Sequence, residues 1–201
     1  VGRGARLSYL DEGPADSPEP TVLMVHGNPT WSFYYRHLVR ALTARGRRCL
    51  VPDHVGMGLS DQPADYPYTL AQRIADVETL VAHAAPTGLI DLVVHDWGGA
   101  IGLGFAGRHA ARIRRIVILN TAALPAPHIP RRIALCKTRL PGTALVRGLN
   151  GFAWPATWMA MHRRRLAPLE KRAYLLAHGD WAGRAAVGAV AERLRLHRDA
   201  G

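Results

Sequence analysis

Residues 91–100 read DLVVHDWGGA. An apolar run, Leu92-Val93-Val94, gives way at once to His95-Asp96-Trp97-Gly98-Gly99, and a stretch with helical spacing follows. Periodicity alone does not separate a short buried strand from a helix, but the run's brevity and its glycine-rich exit favour a strand. The segment therefore predicts a strand, a tight turn and a helix, with the carboxylate of Asp96 at the tip of the turn. Gly98 and Gly99 suit a helix that packs close to what lies beneath it.

The same reading extends outward. TVLMVHG (21–27), CLVPDHVG (49–56) and IRRIVILNT (113–121) are apolar runs of strand length like LIDLVVHD (89–96), and ARLSYL (5–10) is a shorter strand. Helical spacing covers Ser32 to Arg45, Leu70 to Ala84 behind the N-cap candidate Thr69, and Gly99 to His109. Strands alternating with helices predict a mostly parallel sheet covered on both faces. Ligands of such sheets bind at the carboxyl ends of the strands. Three strands end there in polar turns: His26-Gly27-Asn28-Pro29, Asp53-His54-Val55-Gly56 and His95-Asp96-Trp97-Gly98. After Asn120 the pattern changes to proline-bounded helical pieces rich in Trp, Met, Leu and Arg. Two regions are expected: a core over residues 1–121 and a helical lid over residues 122–201 in which the core is not completed.

The bulk numbers narrow the class. A chain of 201 residues, 48% apolar and 20% charged, is that of one globular domain. No run of apolar residues reaches the length of a membrane span. Cys49 and Cys136 are too few and too far apart for a disulfide framework, so two reduced thiols in a cytoplasmic protein are expected. The net charge of +11 comes almost entirely from arginine, scattered in separate clusters without the aromatic interleaving of a nucleic-acid module. No specific nucleic-acid partner is expected. The P-loop, CxxC and HExxH are missing, and GLGFAG (102–107) fits GxGxxG only inside the helical stretch Gly99 to His109, not at a turn between a strand and a helix, so neither cofactor nor metal is expected.

Taken together, HGNPTWSFYYR (26–36), PDHVGMGLSDQP (52–63) and HDWGGAIG (95–102) resemble the α/β-hydrolase fold, and more narrowly the haloalkane dehalogenase group. Two later pieces, LNTAA (119–123) and VRGLNGF (146–152), resemble a dehalogenase-like subgroup, the β-lactone decarboxylases of bacterial long-chain olefin biosynthesis. The resemblance implies a nucleophile elbow with Asp96 as the catalytic nucleophile. It implies that the Trp97 indole N–H binds the leaving group, that the Trp97 backbone N–H contributes to the oxyanion hole, and that Asn28 is the second leaving-group donor. Asn28 also separates the chain from epoxide hydrolases, whose corresponding loop carries an apolar residue. His26, Asp53, His54 and Asp61 are structural in this reading, and Trp154, Trp158, Met159 and Met161 are candidates for an apolar slot under the lid.

Physical chemistry agrees with a carboxylate at this point. An Asp oxygen can displace a leaving group from saturated carbon, and water can then cleave the resulting alkyl ester at the Asp carbonyl. A serine would be left as a stable ether. The substrates implied are small apolar molecules, alkyl halides first and β-lactones as the alternative.

Hydrolysis of the ester calls for a histidine base and an acid to orient it. The position that could hold the acid, at the end of IVILN (116–120), is Asn120, which is not a carboxylate. His109, His128, His162, His178 and His197 do not follow a recognisable late strand. Both groups are therefore expected beyond residue 201, with the chain truncated before the last strands. The tail GAVAERLRLHRDAG reads as an Arg-rich amphipathic helix. The competing reading from a different class is an inactive fragment without the catalytic His and acid.

Overall fold

The computed structural model describes residues 1–121, Cys136, Thr138, 141–161, 163–179, Trp181, Arg184 and 186–187. Five strands form one sheet: β1 (Tyr9–Glu12), β2 (Thr21–Val25), β3 (Cys49–Pro52), β4 (Ile90–His95) and β5 (Ile113–Leu119), in the spatial order β1-β3-β2-β4-β5. β1 runs antiparallel to β3; the other pairings are parallel.

Alternation explains why the central strands read as unbroken apolar runs. Leu23 and Val25 of β2, Leu50 of β3, and Leu92 and Val94 of β4 point to one face. There they meet Ile74, Val77, Leu80 and Val81 of α2 (Leu70–Ala84) and Ile101 and Phe105 of α3 (Trp97–Arg108). Val22, Met24, Val51 and Val93 point to the other face, against Tyr35 and Val39. Val39 lies on α1 (Arg36–Thr43), which follows a short 3-10 turn at Ser32–Tyr35. Every position of the central strands except the end residues Thr21 and His95 is thus buried whichever way it points. Thr69 caps α2 as its sequence suggests, its hydroxyl accepting from Gln72 N–H at 3.2 Å.

β5 differs. It is the last strand of the sheet, and Ile116, Val117 and Ile118, which alternate in direction, are all exposed. At the opposite end of β4 from Asp96, Asp91 is clamped by Arg47 (2.7 Å) and Arg114 (2.6 Å), and the Arg114 guanidinium beside it holds its carboxyl below the usual range.

The described residues after 121 contribute α4 (Ala153–Met159) and α5 (Pro168–Leu176), preceded by short helical turns at Pro141–Thr143 and Ala144–Gly148. α5 is fastened to the loop after β2. Trp31 Nε1–H donates to the Ala173 carbonyl at 3.1 Å, Arg36 pairs with Glu170 at 2.6 Å, and Phe33 meets Tyr174 edge to face at 5.2 Å. The expected amphipathic tail, and His128, His162 and His197, lie outside the described residues. The boundary near residue 121 falls at the edge of a stretch that also lies largely outside them.

Candidate active site at the β4–α3 elbow

Asp96 stands between β4 and α3 at φ 51°, ψ −128°. Such a backbone costs a non-glycine residue about 1–3 kcal/mol and persists only where its surroundings hold it. Here the Thr121 hydroxyl donates to the Asp96 carbonyl, Gly99 N–H reaches the same carbonyl at 3.0 Å, and Asn28 N–H donates to Asp96 Oδ1 at 2.8 Å. Space is as tight as the sequence suggests. A Cβ on Gly98 would lie 2.0 Å from the Val25 carbonyl oxygen, and one on Gly27 would lie 2.2 Å from Asp96 Cβ. Thus α3 starts directly against β2, and the β2 loop lies directly against the carboxylate.

The three residues singled out in the sequence are placed as follows. Asn28 and Asp96 meet through the backbone N–H of one and the side chain of the other. The Asn28 side chain carries a buried Oδ1 without a hydrogen-bond partner. Trp97 is half-buried against the cluster of Val55, Met57, Tyr66 and Tyr68, and among the described residues its indole N–H makes no hydrogen bond. One Asp96 oxygen is therefore held, and the indole N–H of the following residue, Trp97, has no hydrogen-bond partner among the described residues.

A pair of histidines braces the rim from below. His54 N–H must donate, so His26 Nε2 is the acceptor (3.1 Å) and His26 Nδ1–H donates to the Gly27 carbonyl at 2.9 Å. His54 Nε2–H in turn donates to the His26 carbonyl at 3.0 Å, and the rings lie 4.3 Å apart. Burial pushes His26 down to about 3 and His54 well below its ordinary range, so both are neutral. Asp53 accepts from Ser32 N–H (2.7 Å) and Leu59 N–H (2.9 Å), and burial raises its carboxyl above the usual value. His26 and Asp53 thus hold the loop after β2 that carries Asn28, and Asp53 ties it through Leu59 to the loop after β3.

His95 stacks on Tyr34 at 4.3 Å. His109 pairs with Glu78 at 3.0 Å, and buried His178 donates from Nε2 to the Pro29 carbonyl at 2.7 Å. Sequence reasoning missed Gly27, Thr121 and His178. The first two lie within quoted motifs, where their small size and hydroxyl were available signals; His178 follows α5 in a segment with no pattern to mark it. Trp154, Trp158 and Met159, the candidates for an apolar slot, are exposed rather than enclosed among the described residues. A groove of about 590 Å³ is walled by Leu145, Leu149 and Trp181 rather than by the elbow. Among the described residues no group of three His, Cys, Asp or Glu could hold a metal ion.

A parallel sheet with a strained acidic elbow and a donor loop beside it has clear relatives. The alpha/beta hydrolase fold family matches residues 20–135. The chain belongs to the α/β-hydrolase fold family. Within this family it is 45% identical over 194 residues to the cis-3-alkyl-4-alkyloxetan-2-one decarboxylase of Xanthomonas campestris, covering 92% of this chain and 63% of that protein. It is 40% identical over 153 residues to a haloalkane dehalogenase of Mycobacterium marinum, covering 70% of this chain and 49% of the relative. The hydrolase fold of the haloalkane dehalogenase DatA from Agrobacterium tumefaciens superposes with a TM-score of 0.81 at 26% identity, covering 96% of this chain and 66% of that one. This hydrolase-fold chain thus spans less than two thirds of the length of each of these three relatives.

Proposed function

We propose that Asp96 is the nucleophile of a reaction at saturated carbon, and that the substrate is a β-lactone carrying two alkyl chains. The observation that carries the reading is Asp96 itself: a carboxylate in a strained backbone, one oxygen fixed by Asn28 N–H, where a serine would serve acyl transfer. The similarity to the decarboxylase favours the lactone, because it runs through 92% of the chain, lid included, against 70% for the dehalogenase.

The chemistry balances without water. The free Asp96 oxygen attacks ring carbon C4, the C4–O1 bond breaks, and its electron pair becomes the second oxygen of a carboxylate still attached to C3. Backside attack leaves the Asp96 ester antiperiplanar to that carboxylate. The C2–C3 electron pair then forms the C3–C4 double bond, carbon dioxide leaves, and the C4–O bond returns its pair to Asp96. Inversion followed by anti elimination keeps a cis ring substitution as a cis alkene. Trp97 Nε1–H and the Asn28 amide are the donors for the developing carboxylate, where preorganised donors do the most for rate.

Displacement of halide from an alkyl halide uses the same first step, and the unpartnered Trp97 indole N–H favours it as a second reading. There the ester goes on only with an activated water. The two readings separate by product analysis. A cis-3,4-dialkyl-oxetan-2-one and a 1-haloalkane are each incubated with the protein and extracted for gas chromatography–mass spectrometry. Cis alkene from the lactone supports the proposal. A β-hydroxy acid as the main lactone product, or halide release with the lactone untouched, contradicts it.

A further inference from the structure

Charge is distributed unevenly along the chain. Residues 1–121 carry 12 Lys and Arg against 11 Asp and Glu, while residues 122–201 carry 14 against four, so ten of the eleven net positive charges belong to the lid portion. That asymmetry points to an anionic partner on the lid side.

The same portion turns apolar side chains outward. Trp154 and Trp158, four residues apart on α4, are 50% and 54% exposed, and the Lys171 ammonium lies 5.1 Å above the Trp154 ring. α5 is divided by function. Glu170, Ala173 and Tyr174 engage the core, whereas Leu169, Arg172 and Leu176 share an outward face, with the two leucines 77% and 68% exposed. The Arg147 guanidinium lies 4.5 Å over Trp181, at the rim of the 590 Å³ groove that Leu149 also lines. Arg163, Arg164 and Arg165 form an exposed run between the two helices. Seven of the thirteen large apolar side chains exposed among the described residues lie between Leu149 and Trp181, a concentration that marks an interaction surface.

We propose that the lid face between residues 141 and 181 docks onto an anionic lipid bilayer. Tryptophan ring systems settle at the level of lipid headgroups, exposed leucines enter the acyl boundary, and arginine stems lie along apolar surface with their guanidinium groups at phosphate. No helix among the described residues is long and apolar enough to cross a membrane, so the contact is peripheral. A nucleic acid would satisfy the charge but not Leu169 and Leu176, which find nothing apolar on a polyphosphate. Trp154 and Trp181 already carry cations on their faces, where bases would have to stack. The inference does not depend on which reaction Asp96 performs.

The test is co-flotation of the 201-residue chain with vesicles of phosphatidylcholine alone or mixed with phosphatidylglycerol, at 0.15 M and 1 M salt, with duplex DNA as a competing polyanion. Each basic residue at an anionic surface is worth about fivefold in partitioning. Binding to the mixed vesicles should exceed binding to phosphatidylcholine by roughly tenfold or more, with a blue-shifted tryptophan emission. Arg163→Gln with Arg165→Gln should weaken it by about twentyfold at the lower salt. Trp154→Ser with Trp158→Ser should weaken it about tenfold or more and remove the part that survives 1 M salt. Equal binding to both vesicles, or none, overturns the proposal. So does binding that 1 M salt abolishes and the tryptophan variant leaves unchanged, or DNA that displaces the vesicles and binds the tryptophan variant as well as the parent.

Discussion

Mild acid should unfold this protein, and the His26–His54 pair sets the range. His26 is fully enclosed and neutral, held down to about 3 chiefly by burial. In the unfolded chain it returns to about 6.5. The folded state therefore binds fewer protons, and the stability this provides is complete above pH 6.5 and is lost as pH falls toward 3. A gap of that size, at about 1.4 kcal/mol per pH unit, amounts to roughly 5 kcal/mol by pH 3, comparable to the whole stability of a small domain. His54 shifts in the same direction, again first through burial. With its ring 4.3 Å away, both cannot take a proton without repulsion. Protonating His26 Nε2 also removes the acceptor of His54 N–H. The assay is urea unfolding at half-unit steps from pH 8 to 4.5 at constant ionic strength, a range above the titration of most carboxylates. The midpoint free energy should fall by about 1.4 kcal/mol per unit for one histidine, and by up to twice that for both. His26→Gln should lower stability at pH 8 and flatten the slope. A flat profile between pH 7 and 5, or a His26 resonance titrating above pH 6 in the folded protein, would refute the reasoning.

Asp96→Gly should stabilise the fold by about 1 kcal/mol, because glycine adopts the φ of 51° without strain; a lower melting temperature would show that the Asn28 contact outweighs the strain. Gly98→Ala should cost several kcal/mol or prevent folding, since its Cβ would press on the Val25 backbone at 2.0 Å, and a melt within a degree of the parent would contradict the close approach. The open β5 edge should pair with other chains, so the 201-residue protein should sediment with concentration-dependent association that Val117→Lys reduces. A monodisperse monomer in both cases would show the edge to be protected.

The core was legible because its strands are buried on both faces. TVLMVHG is unbroken from Val22 to Val25 and LIDLVVHD is interrupted only by Asp91, and each matches its strand to within a residue or two at either end. ARLSYL was placed too early: β1 begins at Tyr9, because its partner β3 fixes the register from Tyr9 to Glu12, polar residues included. Antiparallel edge strands need no apolar alternation to pair. The strain at Asp96 follows from a tight turn between β4 and α3, which HDWGG implies. What a sequence does not carry is how the helices after residue 121 are placed in three dimensions. Trp154 and Trp158 have the composition of a pocket wall, yet α4 presents them to the surface. Nor could pattern alone connect Arg36 to Glu170 or His178 to Pro29, contacts that span 134 and 149 residues.

The central claim is that the carboxylate of Asp96 forms a bond to carbon, and intact mass spectrometry tests it most directly. A reactive alkyl halide should add one alkyl group and lose hydrogen halide, whereas a dialkyl β-lactone, trapped by rapid quenching, should add its whole mass because ring opening expels nothing. Peptide mapping should place either adduct on the segment that holds His95-Asp96-Trp97, and Asp96→Ala should remove both. An adduct that persists in Asp96→Ala, or that maps to Cys49, Cys136 or a histidine instead, would contradict the assignment of the nucleophile.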